Sequence, residues 1–251
     1  MLRVLHLTDP HLFAAKDGSL RGTVTFASLT SVLDHYRSGD WQADVAVVTG
    51  DLIQDDSAAA YQHFRQLLGG LGMPVYCVPG NHDIRDLMRD ALSEPPFVYC
   101  VTRQVGDWLL VGVDSCVDEQ AGGEIADTEF DRVDDEIAAS DASHVMLHLH
   151  HPPLALGSRW LDSVGMNNGA EALRRFAASG KVRLAIFGHV HQDFSTEVNG
   201  MSIIATPSTC SQFAAGSAEF AIDDNPPAYR RIELHPDGSH HNKLIWVGNS
   251  A

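Results

Sequence analysis

The sequence predicts an α/β fold built on parallel strands, and three observations predict it. Short, almost uninterrupted apolar runs recur along the chain, as expected of strands buried on both faces. Amphipathic stretches with helical spacing lie between many of them. Five times a run gives way at once to Asp, Asn or His, and open α/β sheets bind their ligands beyond such strand ends.

The elements follow in order. RVLHLT (3–8) is the first predicted strand and leads into TDPH. TFASLTSVLDHYRS (25–38) reads as the first helix. ADVAVVTG (43–50) delivers Asp51, and SAAAYQHFRQLLGGL (57–71) reads as the second helix. PVYCVPG (74–80) ends on Asn81, His82 and Asp83, and WLLVGVDS (108–115) is the fourth strand. The acidic stretch 118–141 carries Phe130, Val133 and Ile137 at helical spacing, with Asp127 as the expected N-cap; its charge reads as a solvated helix face. HVMLHLHH (144–151) and VRLAIFGH (182–189) are the next strands, separated by a helix over 169–179. Beyond Phe187 the pattern becomes strand-rich. FSTEVNGMSIIATP predicts a hairpin turning at Asn199-Gly200, and AYRRIELHPDGSHHNKLIWV another turning at Asp237-Gly238. With no repeat, low-complexity tract or linker, residues 1–251 are expected to form one domain.

Bulk properties narrow the function. The 251 residues are 44% hydrophobic, enough for a sizeable core. A net charge of −16 argues against a general nucleic-acid binder or a ligand of anionic membranes. No apolar run approaches bilayer length, and MLRVLHLTDPHLF opens as a strand rather than a signal peptide, so a cytoplasmic location is expected. Cys77, Cys100, Cys116 and Cys210 form no C-x-x-C pair and read as buried free thiols rather than a disulfide framework or zinc knuckle.

The polar clusters carry the chemistry. Asp9 and His11 stand at i and i+2, a spacing that puts both on one face of extended backbone, and His189 and His191 repeat it. Asp51 follows a glycine, as does the pair Asn81 and His82. Two carboxylates, an amide and at least four imidazoles are too nitrogen-rich for calcium and lack the thiolates of a structural zinc site. The mixture suits Fe, Mn, Zn or Co. It also exceeds what one ion takes, whereas two ions sharing a carboxylate use every donor. Two such ions about 3.5–4 Å apart are suited to in-line displacement at phosphorus, with a bridging water as nucleophile. Singly, Asp9 would pass as a turn cap, His11 as a loop residue and the last histidine pair as half-exposed strand. Asn-His-Asp after a buried strand has no common structural use.

The motifs DPH, GD, GNHD, HHPP and GHVH, in this order, resemble the metallophosphoesterase (calcineurin-like) superfamily over nearly the whole chain. DDSAAAYQHF (55–64), SRWLDSVGMNN (158–168), IIATPSTCSQF (203–213) and AYRRIELHPDG (228–238) are similar to its bacterial class III 3′,5′-cyclic-AMP phosphodiesterase branch. The resemblance implies a four-layer αββα sandwich with a dimetal centre at the strand ends. It implies one metal held by Asp9, His11, Asp51 and His191, and another by Asp51, Asn81, His150 and His189, with Asp51 bridging. His82 would face the phosphate and protonate the leaving oxygen, and Asp83 would orient His82. His11, Asn81, His82, His191 and Asn168 would contact substrate. The implied reaction is hydrolysis of cyclic AMP to 5′-AMP by a metal-bridging hydroxide, with Fe and Mn favoured and Zn, Co or two Mn ions also accommodated. A small-molecule partner, no nucleic acid, no membrane, and a monomer or homodimer complete the expectation. Glycerophosphodiesters and 2′,3′-cyclic nucleotides remain alternative substrates, and a metal-free binding module remains a second class of function.

In HLHHPP, alternation puts His148 and His150 on one face, and the family's His-x-Pro spacing selects His150. His148 then reads as a strand residue or as a partner behind the metal ligands. His151 reads as a residue behind them or on the substrate side. Trp160 and Phe213 are candidates to stack on a purine or to fill the core. His35, His63, His235, His240 and His241 read as ordinary surface or core histidines.

Overall fold

The computed structural model describes residues 1–248. Two six-stranded sheets lie face to face with helices on both outer surfaces, the expected four layers. The first sheet begins with β1 (Leu2–Leu7), β2 (Val45–Thr49), β3 (Val75–Val78) and β4 (Phe97–Tyr99), parallel neighbours in that order. The chain then crosses to the second sheet, with β5 (Thr102–Val105), β6 (Trp108–Gly112), β7 (His144–His148), β8 (Val182–Phe187), β9 (Phe194–Val198) and β10 (Met201–Ala205). Their order is β9-β10-β8-β7-β6-β5, with β6, β7, β8 and β10 parallel. It returns to the first sheet as the antiparallel strands β11 (Ala228–Leu234) and β12 (His240–Trp246), β11 lying against β1.

Strand alternation builds three cores. Val4, Val45, Val47, Leu184 and Ile186 point into the layer between the sheets. Leu5, Leu7, Ala46 and Val48 point outward under the helices α1 (Thr25–Ser38) and α2 (Ala58–Leu68). On the other side Ala185 and Phe187 meet α4 (Asp127–Ala139) and α6 (Gly169–Ala178) through Phe130, Val133, Ile137 and Phe176. Both faces of the central strands are therefore dry, which is why their sequences read as continuous apolar runs.

Helix α1 occupies its predicted span and buries Leu29, Val32, Leu33 and Tyr36. Helix α2 is capped by the Ser57 side chain, which accepts from Ala60 N, and gives way at Gly69 to a short 3-10 turn. The short helices α3 (Arg85–Ala91) and α5 (Arg159–Asp162) complete the outer layers. The cap of α4 differs from expectation. Ala126 is the N-cap and Asp127 the first helical residue, so Asp127 and Glu129 meet the helix N-terminus as first-turn charges instead. Both predicted hairpins form, the first with Asn199 and Gly200 at positive φ. Cys77 and Cys210 are buried free thiols, but Cys100 and Cys116 are only partly covered. Among the described residues, no helix is long and apolar enough to cross a membrane.

Candidate metal centre

The predicted clusters meet at the carboxyl ends of β1, β2, β3, β7 and β8, where the two sheets face one another. Parallel pairing fixes this, because it brings all those ends to the same edge. The loop after β1 lies along the loop after β2: Asp9 N donates to Gly50 O (3.1 Å) and His11 N to Asp51 O (3.0 Å). Asp9, His11, Asp51, His189 and His191 all have positive φ. The i, i+2 pairs therefore share a target, but through left-handed backbone and not through the extended backbone expected. Such conformations cost about 1–3 kcal/mol each at non-glycine residues and persist only where the surroundings hold them.

Glycines make the approach possible. A Cβ on Gly80 would collide with Asp51 Oδ1, and one on Gly50 with His150 Nδ1. A Cβ on Gly188 would collide with Thr8 Oγ1 and crowd Asp9 Oδ2.

Two donor sets share Asp51. On one side, His11 Nε2 and His191 Nε2 are 3.1 Å apart. Asp51 Oδ2 is 3.6 Å from His11 Nε2, and Asp9 Oδ1 is 3.6 Å from His191 Nε2. On the other side, Asn81 Oδ1 is 3.1 Å from His150 Nε2 and 3.0 Å from His189 Nδ1, and Asp51 Oδ1 is 3.5 Å from His150 Nε2. Cis ligands about 2.1 Å from a metal sit about 3 Å from each other, so these spacings suit coordination.

The second set also tests the fit chemically. His150 Nδ1 donates to Thr49 O (2.7 Å), which turns Nε2 toward the cluster. That nitrogen faces the amide oxygen of Asn81 and a carboxylate oxygen of Asp51, both acceptors. In the first set His191 Nδ1 donates to Ser211 O (2.6 Å), presenting its Nε2 in the same way. Converging acceptors in a buried site call for a cation, and the groups of Asp9, His11 and His191, and of Asp9, Asp51 and His150, can each hold one.

Electrostatics agree. Burial lowers His11 and His189 to about 3, so both are neutral near pH 7 and free to ligate. Burial opposes charge on His150 too, but Asp51, Asp9 and the Thr49 carbonyl outweigh it and raise its pKa, so the acceptors there hold a proton that a metal ion would displace. Burial pushes the Asp9 carboxyl up, but His191, His150 and His11 outweigh it and hold the group below the usual carboxylate range.

The remaining expected residues divide. His82 lines the adjoining cleft, a cavity of about 240 Å³ shared with Gln54, Trp160 and Phe213. A second cavity of about 760 Å³ continues past Asn81 and His82 toward Arg85 and Cys116. The His82 ring is not oriented by Asp83. The Asp83 carboxylate accepts from Gly80 N (2.9 Å), Leu52 N (3.1 Å) and the Tyr61 hydroxyl (3.0 Å), so it fastens the loop that carries Asn81. Burial and the Asp51 charge raise it to about 7. His82 Nδ1 instead receives Gln54 Nε2. Asn168 does not reach the cleft, since its amide both accepts from and donates to the Ile125 backbone. His151 is held by Ser115 and Ala121 behind the cluster, and His148 is buried with neither ring nitrogen partnered. Phe213 is only 7% exposed and stacks on His191 (4.2 Å, 11°), so it braces that imidazole and offers little surface to a base. Gln54 and Tyr61 were not foreseen. Neither residue type nor spacing sets them apart in the sequence.

A fold of this kind with a shared-carboxylate donor cluster at its strand ends defines a class, and the chain belongs to it: the profile of the calcineurin-like phosphoesterases matches residues 2–193. The chain is 36% identical over 239 residues to the 3′,5′-cyclic adenosine monophosphate phosphodiesterase CpdA of Escherichia coli strain K12, spanning 95% of this chain and 87% of that protein. It is 30% identical over 246 residues to the 3′,5′-cyclic-nucleotide phosphodiesterase alr5338 of a Nostoc species, with 98% and 92% covered. A dimetal phosphatase from Danio rerio shares the fold with a TM-score of 0.66 at 13% identity, covering 98% of this chain and 99% of the other.

Proposed function

We propose that the protein is a dimetal phosphodiesterase that hydrolyses 3′,5′-cyclic AMP to 5′-AMP and so lowers the cyclic-AMP signal. One juxtaposition carries the reading: Asp51 stands between two acceptor sets in a chain 36% identical to a cyclic-AMP phosphodiesterase over 95% of its length. Asp9, His11, Asp51 and His191 hold one ion, and Asp51, Asn81, His150 and His189 the other. Two ions so held supply positive charge against the phosphoryl oxygens and an acidified water as nucleophile. Asn81 ligates as a neutral amide, which adds no negative charge to a site that receives an anion. His11, Asn81, His82 and His191 surround the phosphate. With Gln54 on Nδ1, His82 turns an Nε2–H toward the cleft, where it hydrogen-bonds the departing 3′-oxygen as negative charge develops there. The ions are Fe and Mn in this reading, and Zn, Co or two Mn ions suit the same donors.

Two six-stranded sheets sharing an inner core support the reading as one domain. We place the protein in the cytoplasm, as a monomer or homodimer without nucleic-acid or membrane partners; the net charge of −16 supports the last point. Elemental analysis alongside kcat/KM on a panel of diesters tests the proposal. Cyclic AMP should be turned over best by the two-metal protein. Equal or better turnover of glycerophosphodiesters or 2′,3′-cyclic nucleotides would displace the substrate assignment, and a metal-loaded protein without diesterase activity would displace the enzyme.

A further inference from the structure

A line of polar side chains crosses the apolar layer between the sheets, and the phosphodiesterase reading makes no use of it. It starts at Arg230 on β11, only 4% exposed. The guanidinium is anchored by Asp193 Oδ1 (2.5 Å), Asn242 Oδ1 (2.7 Å) and Ala205 O (2.8 Å). Its Nε donates to Thr206 Oγ1 (3.1 Å), and Thr206 Oγ1 lies 2.8 Å from His6 Nδ1. His6 Nε2 lies 2.8 Å from Thr49 Oγ1, Thr49 donates to Thr8 Oγ1 (2.8 Å), and Thr8 donates to Asp9 Oδ2 (2.7 Å).

The two ends fix the direction. A guanidinium has only donors and a carboxylate only acceptors, and each hydroxyl has a single proton to give. Arg230 therefore donates to Thr206, Thr206 to His6 Nδ1, His6 Nε2–H to Thr49, Thr49 to Thr8, and Thr8 to Asp9. Every hydroxyl on the path accepts once and donates once. The path requires a neutral His6 with its proton on Nε2.

We infer that this path is a one-way hydrogen-bond relay in which Arg230, Thr206, His6, Thr49 and Thr8 position Asp9 for its metal ion. It ties Oδ2 to Thr8, both carboxylate oxygens accept from His189 N (3.1 Å), and Oδ1 faces the His191 side of the centre. The inference rests on the reading of Asp9 as a ligand. Independent features agree with it. Burial and the Arg230 charge hold the His6 imidazole well below its usual pKa. A Cβ on Gly188 would collide with Thr8 Oγ1, so the residue before His189 is small where the relay ends. Thr49 also joins the other donor set, since its carbonyl accepts from His150.

The test uses the full chain. In metal-free wild type, nitrogen-15 NMR of the histidine side chains should find His6 neutral with its proton on Nε2 at neutral pH. Thr206→Val replaces the hydroxyl by a methyl group at nearly constant volume. It strips His6 Nδ1 of its donor and should weaken one of the two Mn²⁺ sites about tenfold in a titration, the usual scale for groups that orient a ligand. Thr206→Ser, which keeps the hydroxyl, should restore that affinity. A charged His6, or one with its proton on Nδ1, overturns the relay, and needs no variant to be seen. So does Mn²⁺ binding by T206V equal to wild type, or by T206S no better than T206V. A wild-type chain that takes up no Mn²⁺ overturns the ligand reading of Asp9, and the relay's purpose with it.

Discussion

Gln54 Nε2 donates a hydrogen bond to Nδ1 of His82 across 3.1 Å. The bond sets the tautomer, so the imidazole turns an N–H toward the cleft. Removing a positioned proton donor costs about 10²–10⁴ in rate. His82→Ala should therefore lower kcat by about that much with little change in KM. Gln54→Ala should lower kcat about tenfold. In the H82A background it should add nothing, because the two act as one unit. A double-mutant cycle on cyclic-AMP turnover reads this out, and additive losses would place Gln54 in some other role.

Asn81 and His82 are adjacent in sequence but face different tasks. The Asn81 amide oxygen lies within 3.1 Å of both His150 and His189, whereas His82 stands beside the His11 ring at the cleft wall. Asn81→Ala should leave one of two ions bound about tenfold or more weakly, and His82→Ala should retain both. Metal content after dialysis against a mild chelator separates the two variants. Loss of an ion from H82A would place His82 among the metal ligands.

The contrast between what the sequence discloses and what it hides has physical causes. Leu29, Val32, Leu33 and Tyr36 repeat at the helical period, so α1 could be placed to the residue, and Asn199-Gly200 names its own turn. The candidate cluster was legible because few structural needs put Asn, His and Asp just after a buried strand. The division into two sheets was legible only through the family resemblance: WLLVG and VAVVT are equally apolar, and nothing in either says which layer it joins. Positive φ at Asp9 and His11 arises from bonding to the loop after β2, a contact some forty residues distant. Asp83 was misread for a related reason. Adjacency to His82 suggested a partnership, but the turn directs its carboxylate to Gly80, Leu52 and Tyr61.

Buried histidines give the metal-free protein an acid-sensitive fold. Burial, then the Arg132 charge, lowers His148 to about 3, and burial with Arg230 lowers His6 well below 6.5. Below its unfolded pKa such a histidine binds more protons unfolded than folded. Its stability contribution is thus present above about pH 6.5 and is lost as pH falls toward the folded value, by up to about 1.4 kcal/mol per pH unit for each group. Urea unfolding across this range should show His148→Leu with a slope shallower than wild type by about that amount between about pH 4 and 6. Equal slopes would mean that His148 does not stay neutral in the fold.

Trp160 is the aromatic residue left to meet the base. It sits on α5, half-buried, with its ring edge-on to Phe213 and Phe220 at 5.1 Å, and it lines the same cavity as His11 and His82. Its indole Nε1 is buried without a hydrogen-bond partner. Phe213 is committed to His191, so the two aromatics carry separate duties. Stacking of a base on an aromatic ring is worth about 1–3 kcal/mol by alanine substitution. Trp160→Ala should therefore raise KM for cyclic AMP about tenfold or more while kcat holds, and should leave hydrolysis of bis(p-nitrophenyl) phosphate, which has no purine, nearly unchanged. Phe213→Ala should instead loosen the ion held by His191 and impair both substrates alike. An equal loss on both substrates in W160A would show that the indole shapes the centre and does not read the base.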